Sequence, residues 1–96
     1  MALSRRTLIE RIDRFIRLIE THRGEPDPWE GHCTLQALTF VDEGEVERAE
    51  AKLALARTPP GLRMPQDLTD VPADRRSPTV AELRGELDRI KAQAMN

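Results

Sequence analysis

The sequence contains no tyrosine and only three aromatic side chains, Phe15, Trp29 and Phe40. Without aromatic filler a core must come from Leu, Ile, Val and Ala, side chains that suit helix packed on helix. Cysteine is as scarce: Cys33 stands alone, which excludes a disulfide within the chain. No apolar run approaches the ~20 residues that a membrane-spanning helix needs. There is no Gly-rich phosphate loop, no CxxC and no pair of histidines at i,i+4, so the usual spacings of nucleotide and metal sites are missing. At 96 residues the chain is expected to form one domain, near the size at which stability is thin.

What the chain has in quantity is charge, 33% of its residues, with a net of −2 that does not suit a dedicated nucleic-acid binder. The charge is unevenly placed. Residues 1–24 hold six Arg against Glu10, Asp13 and Glu20, a net of +3, whereas residues 25–57 hold eight acids against Arg48, Lys52 and Arg57, a net of −5. A basic stretch beside an acidic one predicts attraction between the two, within one chain or between chains. Residues 1–23 are amphipathic and Arg-rich, but their three acids argue against a transit peptide and no apolar core of a secretory signal is present. A cytoplasmic location is the expectation.

Residues 4–22 have the periodicity of a helix. At 100° per residue, Leu8, Ile9, Ile12, Phe15, Ile16 and Ile19 gather within an arc of about 120°, with charged residues around the rest. Ser4 suits the N-cap and Gly24 the position after the C-cap, where positive φ is needed. Glu10–Arg14 and Asp13–Arg17 are i,i+4 pairs in the favourable order. Asp27, Pro28 and Glu30 predict a second start with a capping box, running to about Asp42 and stopping at Gly44. A third helix over 45–57 ends at Pro59, Pro60 and Gly61.

Residues 58–78 carry five prolines and no periodicity, which predicts an extended segment crossing the helices, docked through Leu62, Met64, Leu68 and Val71. The last helix is expected from Thr79, with Glu82 completing a capping box, to about Ala94. Its Val80, Leu83, Leu87, Ile90 and Ala94 form a narrow seam for one partner helix. The organisation is therefore a helical unit over 1–57, the Pro-rich segment over 58–78 and a C-terminal helix over 79–96, an all-α fold.

Within residues 30–60, Ala37, Phe40, Gly44, Ala49, Leu53 and Ala56 have the types and spacings of a single tetratricopeptide repeat, which this stretch resembles. The resemblance implies an antiparallel helical hairpin whose small residues let the two helices approach. Cys33 replaces the large aromatic and Gln36 the leucine that the pattern usually has.

Candidate chemistry is sparse. His32 and Cys33 are helix neighbours about 100° apart, so they do not converge on one ligand. His22 suits a helix C-terminus. Asp42, Glu43, Glu45 and Glu47 fit a turn and a helix start, with no cation-binding loop around them. No enzyme, cofactor, metal or membrane association is expected. The expectation is a small protein–protein interaction module, an adaptor, accessory subunit or homo-oligomer. Contacts are expected at Ile12, Phe15, Ile16, Ile19, Leu83, Leu87 and Ile90 unless those seams bury within the monomer. The alternative is a nucleic-acid-associated regulator using Arg5, Arg6, Arg11, Arg14 and Arg17, although interleaved acids and the lack of stacking aromatics weigh against it.

Overall fold

The computed structural model describes residues 3–64 and 76–94. They form four helices, α1 (Arg5–His22), α2 (Pro28–Asp42), α3 (Val46–Ala56) and α4 (Val80–Ala94), with a short 3₁₀ turn at Pro60–Leu62 and, among the described residues, no strand. The all-α class follows from the sequence periodicities, and each helix lies within one residue of its expected bounds.

The helix ends are set by local chemistry. The Thr7 N–H donates to Ser4 Oγ (3.1 Å), and Gly24 takes φ 84° just past α1. Asp27 and Glu30 form the capping box of α2: the Glu30 N–H donates to Asp27 Oδ1 (2.8 Å) and the Asp27 N–H to Glu30 Oε1 (3.1 Å). Gly44, at φ 83°, turns the chain between α2 and α3. The start of α4 differs from expectation. The Glu82 N–H does donate to Thr79 Oγ1 (3.2 Å), but the Glu82 carboxylate accepts from Arg76, and Glu25 accepts from the Val80 N–H (2.8 Å). A side chain 55 positions away thus takes one of the free N–H groups of the first turn, while the carboxylate half of the capping box is not made.

Cross-helix contacts fix the directions. Arg5 Nε donates to the Val41 carbonyl (2.9 Å), so α1 begins where α2 ends. Glu25 sits at the start of α4, and Lys91 reaches back to Asp13, so α4 runs antiparallel to α1. The core between them is Leu8, Ile9, Ile12 and Ile16 of α1, Ala37, Leu38 and Val41 of α2, Ala49 and Leu53 of α3, and Leu83, Leu87 and Ile90 of α4. A second cluster joins Trp29, Cys33 and Ala56, with Phe15 and Leu55 against it. The Trp29 indole N–H donates to the Leu55 carbonyl (2.6 Å), tying α2 to α3.

Residues 65–75, the middle of the expected crossing segment, and with them Leu68 and Val71, lie outside the described residues. Of the docking residues expected before them, Leu62 and Met64 are exposed, which corrects that expectation for these two. Arg63 is what ties this end down: it pairs with Asp27 (3.0 Å), donates to the Thr58 carbonyl (3.0 Å) and lies over the Trp29 ring.

Candidate functional site

The structure places Ile12, Ile16, Ile19, Leu83, Leu87 and Ile90, the residues expected at a partner contact, inside the molecule, each at 0–1% exposure. What covers them is the rest of the same chain. Apolar periodicity reports that a face is covered and is silent on which molecule covers it. Phe15, the seventh, is half-buried and leads to a different surface.

That surface is a groove between α1 and the end of α3. Two adjoining depressions, about 290 and 230 Å³, share Phe15, Leu18 and Arg57. Arg11 and Arg14 rim one; Ile19, His22, Arg23 and Glu30 line the other. On α1, residues 11, 14, 15, 18 and 22 fall on one stripe, on the flank away from Asp13 and Glu20, which face α4. Leu18 is 53% exposed at its centre. The floor has depth because Phe15 rests on the Trp29–Cys33–Ala56 cluster.

The electrostatics set this groove apart. Arg6 pairs with Glu10 (3.7 Å) and Arg17 with Asp13 (3.2 Å). Since Glu10 turns to Arg6, the expected Glu10–Arg14 pair is not made. Arg23 pairs with Glu30, whose bond is the main cause holding the Arg23 guanidinium above its ordinary pKa. Arg11, Arg14 and Arg57 are the arginines whose guanidinium groups make neither an ion pair nor a hydrogen bond among the described residues, and all three edge this one groove.

The opposite flank of α1 is fully committed. Asp13 accepts from Arg84 (2.6 Å) and Lys91 (2.6 Å) and pairs with Arg17, while Arg84 also reaches Glu20. Partial burial pushes the Asp13 carboxyl up, but these cations outweigh it and hold the group below its ordinary value of 3.8. Arg89 bridges Asp42 (3.0 Å) and Glu86 (2.8 Å), joining α4 to the end of α2. This flank locks α4 in place.

The other candidates have structural settings. Cys33 is fully buried in the small cluster and His32 is 6% exposed on the same helix. Among the described residues no group of three His, Cys, Asp or Glu side chains is arranged to hold a metal ion. Among the described residues no helix is long and apolar enough to cross a membrane. Sequence reasoning missed Leu18 because it falls outside the apolar arc of α1. The available signal was a large aliphatic residue surrounded by arginines on a face that is otherwise charged.

Compared with protein-family models, with curated proteins and with solved structures, the chain matches none of them.

Proposed function

We propose that this protein is a small non-enzymatic interaction module, an adaptor or accessory subunit, that docks a protein partner on the groove between α1 and α3. One observation carries the reading. Arg11, Arg14 and Arg57 surround the exposed Leu18 and the half-buried Phe15, while other arginines nearby are engaged within the fold. An apolar floor with a ring of available donors is the anatomy of a docking patch, in which an apolar centre supplies affinity and a charged rim supplies orientation. The likeness of α2–α3 to one tetratricopeptide hairpin points the same way, since arrays of such hairpins present binding surfaces.

The test replaces Leu18 with a photo-crosslinking residue in the producing cells, with Glu50, exposed on α3, as the control position. A discrete protein adduct at position 18 and none at position 50 is the expected result. Light scattering of the purified chain over a concentration series distinguishes self-association from a foreign partner. A constant monomer with no protein adduct at position 18 ends the reading.

A nucleic-acid-associated regulator is the second reading, favoured by the exposure of Arg11 and Arg14 on the first helix. Arg5, Arg6 and Arg17 of the same helix are engaged with Val41, Glu10 and Asp13. Absence of a gel shift at low salt excludes it.

A further inference from the structure

We infer that the occupant of the groove is an acidic amphipathic helix of another protein, which seats a bulky apolar side chain on Phe15 and Leu18 and sets carboxylates against Arg11, Arg14 and Arg57. The inference rests on the docking reading and specifies the chemistry of its partner. Arg11, Arg14, Leu18 and His22 recur every three or four residues, so the stripe runs for about 16 Å along α1, or three turns of a docked helix. Arg57, at the C-cap of α3, forms the opposite wall. A helix lying between these walls presents carboxylates to both sides while its apolar stripe faces the floor.

Charge complementarity selects the acidic partner. A guanidinium engages a carboxylate through two parallel N–H···O bonds, and partial exclusion of water by the apolar floor strengthens them. The two depressions are open and fall below the roughly 300–1,000 Å³ of drug-sized ligand pockets, but each admits a single large side chain.

Two other occupants fit less well. A long polyanion would extend past the groove onto a molecule of net charge −2, whose residues 25–57 are strongly acidic. A short acidic helix meets only the local field, because charges beyond about 8 Å are screened at physiological salt. Phe15, half-buried, is the only aromatic lining the two depressions, too few for the successive stacked bases that hold a single strand. A second copy could bring its acidic elbow at Asp42–Glu50, but the apolar side chains there, Phe40 and Val46, are packed against the core, with Arg48 over the Phe40 ring.

The test is calorimetric titration of the full chain with designed helical peptides about four turns long. The probe carries Glu on both flanks of a Leu/Trp stripe. One control has the stripe changed to Gln and another has every Glu changed to Lys; a single-stranded oligonucleotide is the third. Binding of the probe alone is expected. The double variant Arg14→Glu/Arg57→Glu is expected to weaken it by at least about tenfold, and Leu18→Ala by several-fold. Affinity is expected to fall as salt rises. These residues are exposed, and circular dichroism of each variant verifies that it remains folded. Probe binding undiminished in the double variant overturns the inference, as does a stripe-less peptide or an oligonucleotide that binds as tightly as the probe. Indifference to the probe alongside a protein adduct at position 18 overturns the acidic-helix occupant and leaves the docking reading standing. A probe that binds while no adduct forms supports the chemistry of the groove and counts against its use in the cell.

Discussion

Thr34 shows how a single side chain can be out of balance in a well-filled core. It is fully buried, and its Oγ1 has no hydrogen-bond partner among the described residues. Burying a hydroxyl without a partner costs about 1–3 kcal/mol, so Thr34→Val, which keeps the shape and removes the polar atom, is expected to raise stability by about 1 kcal/mol. A thermal melt showing a Tm higher by some 4–8 °C would be the corresponding shift for a domain of this size. A lower Tm would mean that the hydroxyl has a partner in solution. At the same scale the sequence was legible at the ends of α1 and α2. Ser4, Asp27, Gly24 and Gly44 do what their chemistry dictates. It was not legible at the start of α4, where the Glu82 carboxylate turns to Arg76 and the Val80 N–H goes to Glu25, distant in sequence and near only in the fold. Glu10 was ambiguous for a simpler reason: arginines lie one turn away on both sides.

Among the elements, the α2–α3 hairpin depends most on small residues. Ala37 and Ala49 are both fully buried where the helices meet. Ala49→Leu is expected to destabilise by about 1–3 kcal/mol through overpacking, read as a lowered urea midpoint with an unchanged slope. The start of α2 is equally tight against the chain entering α4. A Cβ on Gly31 would approach the Pro78 carbonyl oxygen to 3.2 Å and its ring to 3.3 Å. Neither neighbour is a flexible side-chain end, so Gly31→Val is expected to cost about 1–3 kcal/mol, more than any helix preference returns. The existence and limits of the helices were readable because a period of 3.6 in apolar residues is a strong local signal. The pairing was not. Two seams of matching width, one on α1 and one on α4, say nothing about whether they meet each other or another molecule.

For the molecule as a whole, the flank joining α1 to α4 and the cap of α2 set the response to acid. Asp13 and Asp27 are both held below their ordinary pKa in the fold: partial burial opposes this, but Lys91 and Arg84 at Asp13, and the Glu30 N–H and Arg63 at Asp27, outweigh it. The unfolded chain therefore binds protons more readily than the folded one as pH falls. The stability these groups contribute is fully present above about pH 5 and is lost progressively below pH 4. Melts from pH 7 to pH 3 are expected to show a plateau and then a decline. Asp13→Asn is expected to lower the plateau by about 1–2 kcal/mol and make the decline shallower. An unchanged acid profile would remove Asp13 from the lock. The uneven charge of the sequence did not foretell this arrangement: Asp13 is an acid of the basic stretch and its cations come from α1 and α4. The expected pairing of the basic stretch with the acidic one is made, among the described residues, by Arg23 with Asp27 and Glu30. The groove was the least legible feature, since it depends on which arginines are left over once the others have paired.

Trp29 is the chain's one tryptophan, and there is no tyrosine to compete with it. Its indole lies at the junction of α2, α3 and the support of Phe15, with the Arg63 guanidinium 5.5 Å from the ring centre. Ultraviolet emission from this protein is accordingly the signal of one chromophore in one place. A blue-shifted spectrum reports an intact junction, and a red shift at constant helicity reports parting of the hairpin from the back of the groove. The molecule thus carries its own label-free optical probe beside the groove between α1 and α3.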